Sequence, residues 1–214
     1  MFTLLTIGQT PRKDLMKAFI KGGVQDVKLV GALDGVSDGE IKRLEEVPGE
    51  EKLYVVHNKG TSNISHECIE ERIDKLIRQY ENSSDAIALL CMSKFKSTSD
   101  QTTIIYPIKE LREKASTINS NDRTIIFVPI TEQLTSAKLK WANVKGDKQF
   151  VVANPKAENV LDIINNEIKL HTPSYVILDC YGYDYDLVDV IESNHECTCY
   201  NAQHLVVKKL KSLQ

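Results

Sequence analysis

Two cysteines each close an apolar run. Residues 86–91 read Ala-Ile-Ala-Leu-Leu-Cys, and residues 175–180 read Tyr-Val-Ile-Leu-Asp-Cys. In an open parallel sheet, ligands bind beyond the carboxyl ends of the strands, where both Cys91 and Cys180 are expected to sit. Two thiols on opposite walls of a cleft suit one task. One thiolate takes a proton from an acidic carbon, and the other thiol returns a proton to the opposite face. A stereocentre is inverted with no cofactor. A thiol titrates at about 8.5 unless a helix N-terminus or a nearby cation lowers it. Both cysteines precede a turn and what reads as a helix start, and Lys94 is a cation close to Cys91 in the chain. The competing reading is a thiol that only fills a core.

Other residue types could hold an anion. Arg12 follows Thr10-Pro11, which reads as an N-cap with proline at the first helical position. A helix N-terminus and a guanidinium together attract carboxylate or phosphate. Gln9 and Gln133 fall in comparable loops of the two halves and are candidates to bond the same ligand. Glu132 reads as a first-turn acid. Asp179 reads as a loop-holding hydrogen-bond partner. Tyr181 and Tyr183 are candidates for the edge of the cleft, against the commoner role of aromatic packing. His195, Cys197 and Cys199 share one face of a strand. Three ligands along one strand are poorly spread for a tetrahedron, so a buried strand face is preferred and no metal is expected.

The elements that must position these groups alternate from end to end. Strands are expected at 2–7, 27–30, 53–57, 86–91, 124–128, 148–152, 175–180 and 197–200. Helices are expected at 11–21, 37–46, 66–81, 107–116, 131–141, 155–168, 184–192 and 202–213. Ser37 to Glu40 has capping-box spacing, and Ser65 is placed to cap the long helix at 66–81. Residues 96–103 read as a loop and 117–123 as a turn or linker. Such alternation predicts an α/β fold with parallel sheets flanked by helices. The order repeats, so the expectation is two pseudo-duplicated lobes, 1–105 and 118–200, with a ligand cleft between them. The helix at 202–213 is expected to pack back on the first lobe.

The bulk numbers bound the class. The chain has 214 residues, 42% hydrophobic and 27% charged, which is ordinary for a globular protein. Its net charge of −3 argues against general affinity for nucleic acid or anionic membrane. Residues 1–7 are apolar but lack a basic start and a cleavage site, so they read as a strand and not a leader. An odd count of five cysteines fits reduced thiols and a cytoplasmic location.

Several segments resemble the AroM family. They are Leu5-Thr6-Ile7-Gly8-Gln9-Thr10-Pro11-Arg12, Gly31-Ala32-Leu33-Asp34-Gly35-Val36-Ser37, Leu89-Leu90-Cys91, Val128-Pro129-Ile130-Thr131-Glu132-Gln133, Lys140-Trp141, and Leu178-Asp179-Cys180-Tyr181-Gly182-Tyr183. They run in order along nearly the whole chain. The family is similar to the aspartate/glutamate racemases and related cofactor-free isomerases and decarboxylases. That resemblance implies an aspartate/glutamate racemase-like fold with Cys91 and Cys180 as the acid/base pair. It implies a small carboxylate with an acidic α-carbon, held by Gln9, Thr10, Arg12, Ser93, Gln133, Tyr181, Gly182 and Asn201. It implies no cofactor; the expected partner is a small anionic metabolite, and a homodimer is left open. One departure stands out: Met92-Ser93 follows the first cysteine where the family usually has Thr-Gly. It motivates a second expectation, a protein that binds the anion without converting it. A lyase or decarboxylase using one cysteine is a third.

Overall fold

The computed structural model describes residues 1–214. The chain forms two compact units, Met1–Tyr106 with Lys209–Gln214, and Pro107–Lys208. No helix is long and apolar enough to cross a membrane.

The first unit contains β1 (Phe2–Thr6), α1 (Lys13–Lys21), β2 (Val27–Gly31), α2 (Asp38–Glu46), β3 (Lys52–His57), β4 (Gly60–Ser65), α3 (His66–Tyr80), β5 (Ala86–Leu89) and β6 (Thr103–Ile105). Its main sheet has the order β2-β1-β5-β6 with every pairing parallel. β1 and β5 are buried at every residue, which fits central strands covered on both faces. α3 turns Ile69, Ile73 and Ile77 to the core, the 3.6-residue stripe its sequence shows. Ser65 accepts the Cys68 amide at 3.3 Å and caps that helix. The Ser37–Glu40 capping box of α2 is complete in both directions, at 3.3 and 3.0 Å.

The second unit contains α4 (Pro107–Ala115), β7 (Arg123–Val128), a 3-10 turn (Thr131–Gln133), α5 (Leu134–Lys140), β8 (Asp147–Val152), α6 (Val160–His171), β9 (Tyr175–Leu178), α7 (Leu187–Asn194), β10 (Thr198–Asn201) and α8 (Ala202–Lys211) as far as Lys208, the end of α8 from Lys209 being counted with the first unit. Its sheet has the order β10-β9-β7-β8, again parallel throughout. Strand for strand it repeats the first unit, with β7, β8, β9 and β10 in the places of β1, β2, β5 and β6. Its core gathers Ile125, Phe127, Ile164, Val176, Leu178, Tyr183 and Ile191.

Three local expectations are corrected. Residues 53–57 do not join a parallel sheet. They pair antiparallel with β4 as a separate hairpin, a partner hidden in the polar run Gly60-Thr61-Ser62-Asn63-Ile64-Ser65. The loop expected to reach residue 103 gives way there to β6, only three residues long. Helices α6 and α7 begin five and three residues later than expected, at Val160 and Leu187. In both cases an Asx turn occupies the gap: Asn154 Oδ1 accepts the Lys156 amide, and Asp184 Oδ1 accepts the Asp186 amide.

Candidate active site

Each sheet reverses its winding direction at its centre, between β1 and β5 in the first unit and between β7 and β9 in the second. Such switch points open a crevice beyond the carboxyl ends of the strands. Leu89 pairs with Leu5, and the Leu90 amide then donates to the Leu5 carbonyl at 2.7 Å. Leu178 pairs with Phe127, and the Asp179 amide donates to the Phe127 carbonyl at 2.9 Å. The next residue is Cys91 in one unit and Cys180 in the other. Each cysteine therefore lies two residues past the end of the equivalent strand, beside its unit's switch point.

Cys91 is buried, 8% exposed, and its amide donates to the Leu89 carbonyl at 2.9 Å. No helix follows it before α4, so the expected helix-dipole support for its thiolate is corrected. The loop after it is pinned from several sides. Ser93 Oγ donates to Glu51 Oε1 at 3.1 Å, Glu70 accepts the Lys96 amide at 2.5 Å, and the Tyr106 hydroxyl donates to the Ser97 carbonyl. The His66 ring packs on Phe95 with centroids 4.7 Å apart. Ser93 thus has a carboxylate partner already, and Met92 is buried.

The β1–α1 loop is organised by one carboxylate and one amide. Asp34 accepts from Thr10 N at 2.7 Å, Thr10 Oγ1 at 2.9 Å and Gly31 N at 2.7 Å. Thr10 therefore does not cap α1. Arg12 stands at that cap and makes no side-chain capping bond, and the Thr10–Pro11 peptide is cis. The expected Thr10 cap loses to a tertiary partner 24 residues away. Arg12 pairs in bidentate fashion with Asp14, at 2.9 and 2.7 Å, so its charge is neutralised locally. Gln9 is buried and its amide is committed to the chain. Nε2 donates to the Leu33 and Val36 carbonyls, and Oε1 accepts the Asn58 amide. It ties the ends of β1, β2 and β3 together. Gly8 lets the hairpin come this close: a Cβ there would stand 1.9 Å from the Val56 carbonyl oxygen, which also accepts the Gln9 amide.

In the second unit Cys180 is half-buried, and the Gly182 N–H points at its sulfur at 3.3 Å. That donor comes from the turn itself, because α7 starts seven residues after Cys180. Asp179 is almost wholly buried. Lys140 Nζ donates to both its oxygens, at 3.0 and 3.1 Å, and the indole of Trp141 donates at 2.9 Å. Burial pushes its carboxyl up, while Lys140 and Trp141 pull it back. The Tyr183 hydroxyl donates to the Ala153 carbonyl. Asn201 donates to the Tyr183 and Asp184 carbonyls and accepts the Gln203 amide at 2.7 Å. Gln203 Nε2 donates to the Tyr181 carbonyl at 2.8 Å. Asn201 thus holds the 181–184 turn against the start of α8. Gln133 closes the 3-10 turn six residues past Phe127, whereas Gln9 is four past Leu5, so the two glutamines are not equivalent.

His195 bonds Asn165 at 2.9 Å, and Cys199 belongs to the hydrophobic core. No group of three His, Cys, Asp or Glu side chains is gathered to hold a metal. Asp34 and Gln203 carry structure that the sequence alone did not single out. Asp34 lies inside the family-like segment Gly31-Ala32-Leu33-Asp34-Gly35-Val36-Ser37; Gln203, one polar residue opening an amphipathic helix, leaves no such signal.

The sequence matches the AroM protein family over residues 2–213. The chain belongs to the AroM family. No curated protein matches it. Among solved structures, the AroM chain is similar to the aspartate racemase of Picrophilus torridus, with TM-score 0.59 and 12% identity over 100% of this chain and 94% of that one. It is similar to the allantoin racemase of Klebsiella pneumoniae, with TM-score 0.60 and 11% identity over 100% and 87%. It is also similar to an unliganded arylmalonate decarboxylase, with TM-score 0.63 and 7% identity over 99% and 91%. At these identities the likeness is one of fold. This AroM chain has the two-sheet α/β architecture of racemase-like proteins.

Proposed function

We propose that the protein is a cofactor-independent racemase or isomerase acting on a small carboxylate with an acidic α-carbon. The observation that carries this reading is the equivalence of Cys91 and Cys180, each two residues past the central strand beside its unit's switch point. In the reaction, one thiolate takes the α-proton and becomes a thiol, leaving a carbanion delocalised into the carboxylate. The opposite thiol gives its proton to the other face and becomes a thiolate. No electrons are gained or lost. The Gly182 amide supports negative charge on Cys180. Exchange of a substrate α-proton with deuterated water is expected in the wild type and lost in Cys91→Ala and in Cys180→Ala. Exchange at the wild-type rate in both variants would refute the two-thiol mechanism, and unequal losses would point to a one-cysteine lyase or decarboxylase.

A second reading has its own support. Met92-Ser93 stands where the family usually has Thr-Gly; Met92 is buried, and the Ser93 hydroxyl already donates to Glu51. This favours a protein that binds a small anionic metabolite without converting it. A ligand recovered unchanged after stoichiometric binding supports this reading; turnover excludes it as the sole function.

A further inference from the structure

β2 is an edge strand with no strand on its outer side. Its pairing with β1 fixes which backbone groups face out. The Phe2 amide donates to the Asp26 carbonyl at 2.8 Å and the Ala32 amide to the Thr6 carbonyl at 2.9 Å, so the even-numbered residues of this stretch bond to β1. The odd-numbered residues turn their N–H and C=O groups to the open edge. Gly31 is already closed off there. Asp34 Oδ2 accepts its amide at 2.7 Å, and the Asp34 amide donates to its carbonyl at 3.1 Å. Leu29 keeps both backbone groups on the open edge. Residues 28–32 form one wall of a cavity of about 630 Å³, a volume usual for ligand sites. An open strand edge is a template for another strand.

The opposite wall is α3. Cys68, Arg72, Leu76 and Tyr80 line the cavity as one row along the helix, with Lys75 beside them. Val30 is buried, and Lys28 Nζ lies 4.6 Å from the Tyr80 ring centroid, so the even-numbered side chains of β2 stand on the α3 side of the sheet. Lys28, Arg72 and Lys75 all border the cavity, and none has a carboxylate within ion-pair distance. Arg72 feels only the more distant charge of Glu40, whose carboxylate is bonded to Ser37. Of the two acids at the cavity, Asp34 is taken up by Thr10 and Gly31, which leaves Glu71 against the cations. We propose that this groove docks an extended acidic segment of a partner protein, added to the four-stranded sheet as an antiparallel strand on β2. One partner residue opposite Leu29 exchanges both backbone bonds with it. The residues on either side of it turn their side chains to the α3 face, where carboxylates meet Lys28, Arg72 and Lys75. The motif is acid, apolar, acid. A second copy of this chain fits less well, because two-fold pairing about Leu29 sets the same cations side by side. Docking here does not depend on the chemistry at Cys91 or Cys180.

A short fluorescein-labelled peptide alternating glutamate and valine is titrated with the full chain at low salt and followed by polarisation. It is expected to bind with a Kd below about 1 mM, and its lysine–valine counterpart at least about tenfold more weakly. N-methylation of the valines, whose amides face β2, is expected to abolish binding. N-methylation of the glutamates, whose amides face away, is expected to leave it within about threefold. Arg72→Gln combined with Lys75→Gln is expected to weaken the peptide by about five- to tenfold, with the ligand-free melting temperature within about 2–4 °C of wild type. The methylated peptides test the wild-type chain and hold even if that variant folds poorly. Equal binding by the lysine peptide overturns the proposal, as does no binding by the glutamate peptide or equal loss on either methylation. Displacement of the peptide by succinate at the same concentration overturns it too, because a small dianion would then be the ligand. So does a dimer of the free chain, seen by sedimentation, that the two glutamine substitutions strengthen, since the edge would then belong to a second copy.

Discussion

The carboxylate of Asp179 accepts the indole N–H of Trp141 at 2.9 Å, one residue before Cys180. Trp141 is fully buried, and the neighbouring Lys140 donates to both oxygens of the same carboxylate. The C-terminal end of α5 is thereby fastened to the end of β9, and the backbone that presents Cys180 is held by a buried charge with three donated bonds.

Removing the cation leaves that charge uncompensated. Lys140→Met is expected to destabilise the protein by about 3–5 kcal/mol at neutral pH, the usual cost of breaking a buried pair from one side. Urea unfolding at pH 7 measures it. A loss under 1 kcal/mol would mean that Asp179 is hydrated or already neutral.

The pH dependence has a definite sign. Burial raises the Asp179 carboxyl above its ordinary value of 3.8. A raised folded pKa means the folded state holds its proton more tightly. The associated stability is present in full below the ordinary carboxylate range and is lost as pH rises through the folded pKa. The stability of wild type relative to Asp179→Asn should therefore fall as pH increases from about 4, measured by unfolding at a series of pH values. A difference that grows with pH would show the carboxyl lowered by Lys140 and Trp141 and not raised by burial.

Gly8 is required by proximity. A Cβ at this position stands 1.9 Å from the Val56 carbonyl oxygen, so Gly8→Ala must displace the β3–β4 hairpin or the β1–α1 loop. Overpacking of this kind costs about 1–3 kcal/mol. The variant should also expose the hairpin to limited proteolysis faster than wild type. Unchanged stability with an unchanged digestion pattern would show that the hairpin is not seated on Gly8 in solution.

Cysteine reactivity separates the core thiols from reagent. Burial, with Glu192 adding to it, raises the Cys197 thiol to about 11, and Cys199 is raised further by burial. At pH 8 a thiol titrating near 11 is about one-thousandth ionised, and thiolate is the reactive form. Brief iodoacetamide treatment followed by peptide mass mapping should find Cys197 and Cys199 essentially unmodified. Rapid labelling of either would show that β10 opens readily.

Much of the frame follows from the sequence because it rests on local rules. The apolar runs ending at Cys91 and Cys180 read as central parallel strands, since only strands covered on both faces lack a polar alternate. The Ser37–Glu40 box and the Ser65 cap are set by spacing within one turn. Tertiary structure decided the partners. Thr10 has the residue type and position of a helix cap, yet Asp34 takes both its amide and its hydroxyl. Gln9 looks like a ligand group until three backbone groups from two other segments occupy its amide. The antiparallel pairing of 52–57 with 60–65 was hidden because β4 is too polar to announce a strand. The role of Gln203 emerged only when Asn201 and the Tyr181 carbonyl fixed its orientation. A helix or strand is chosen by the residues within it, whereas a polar side chain bonds whichever group the fold brings nearest, and that group is usually distant in the chain.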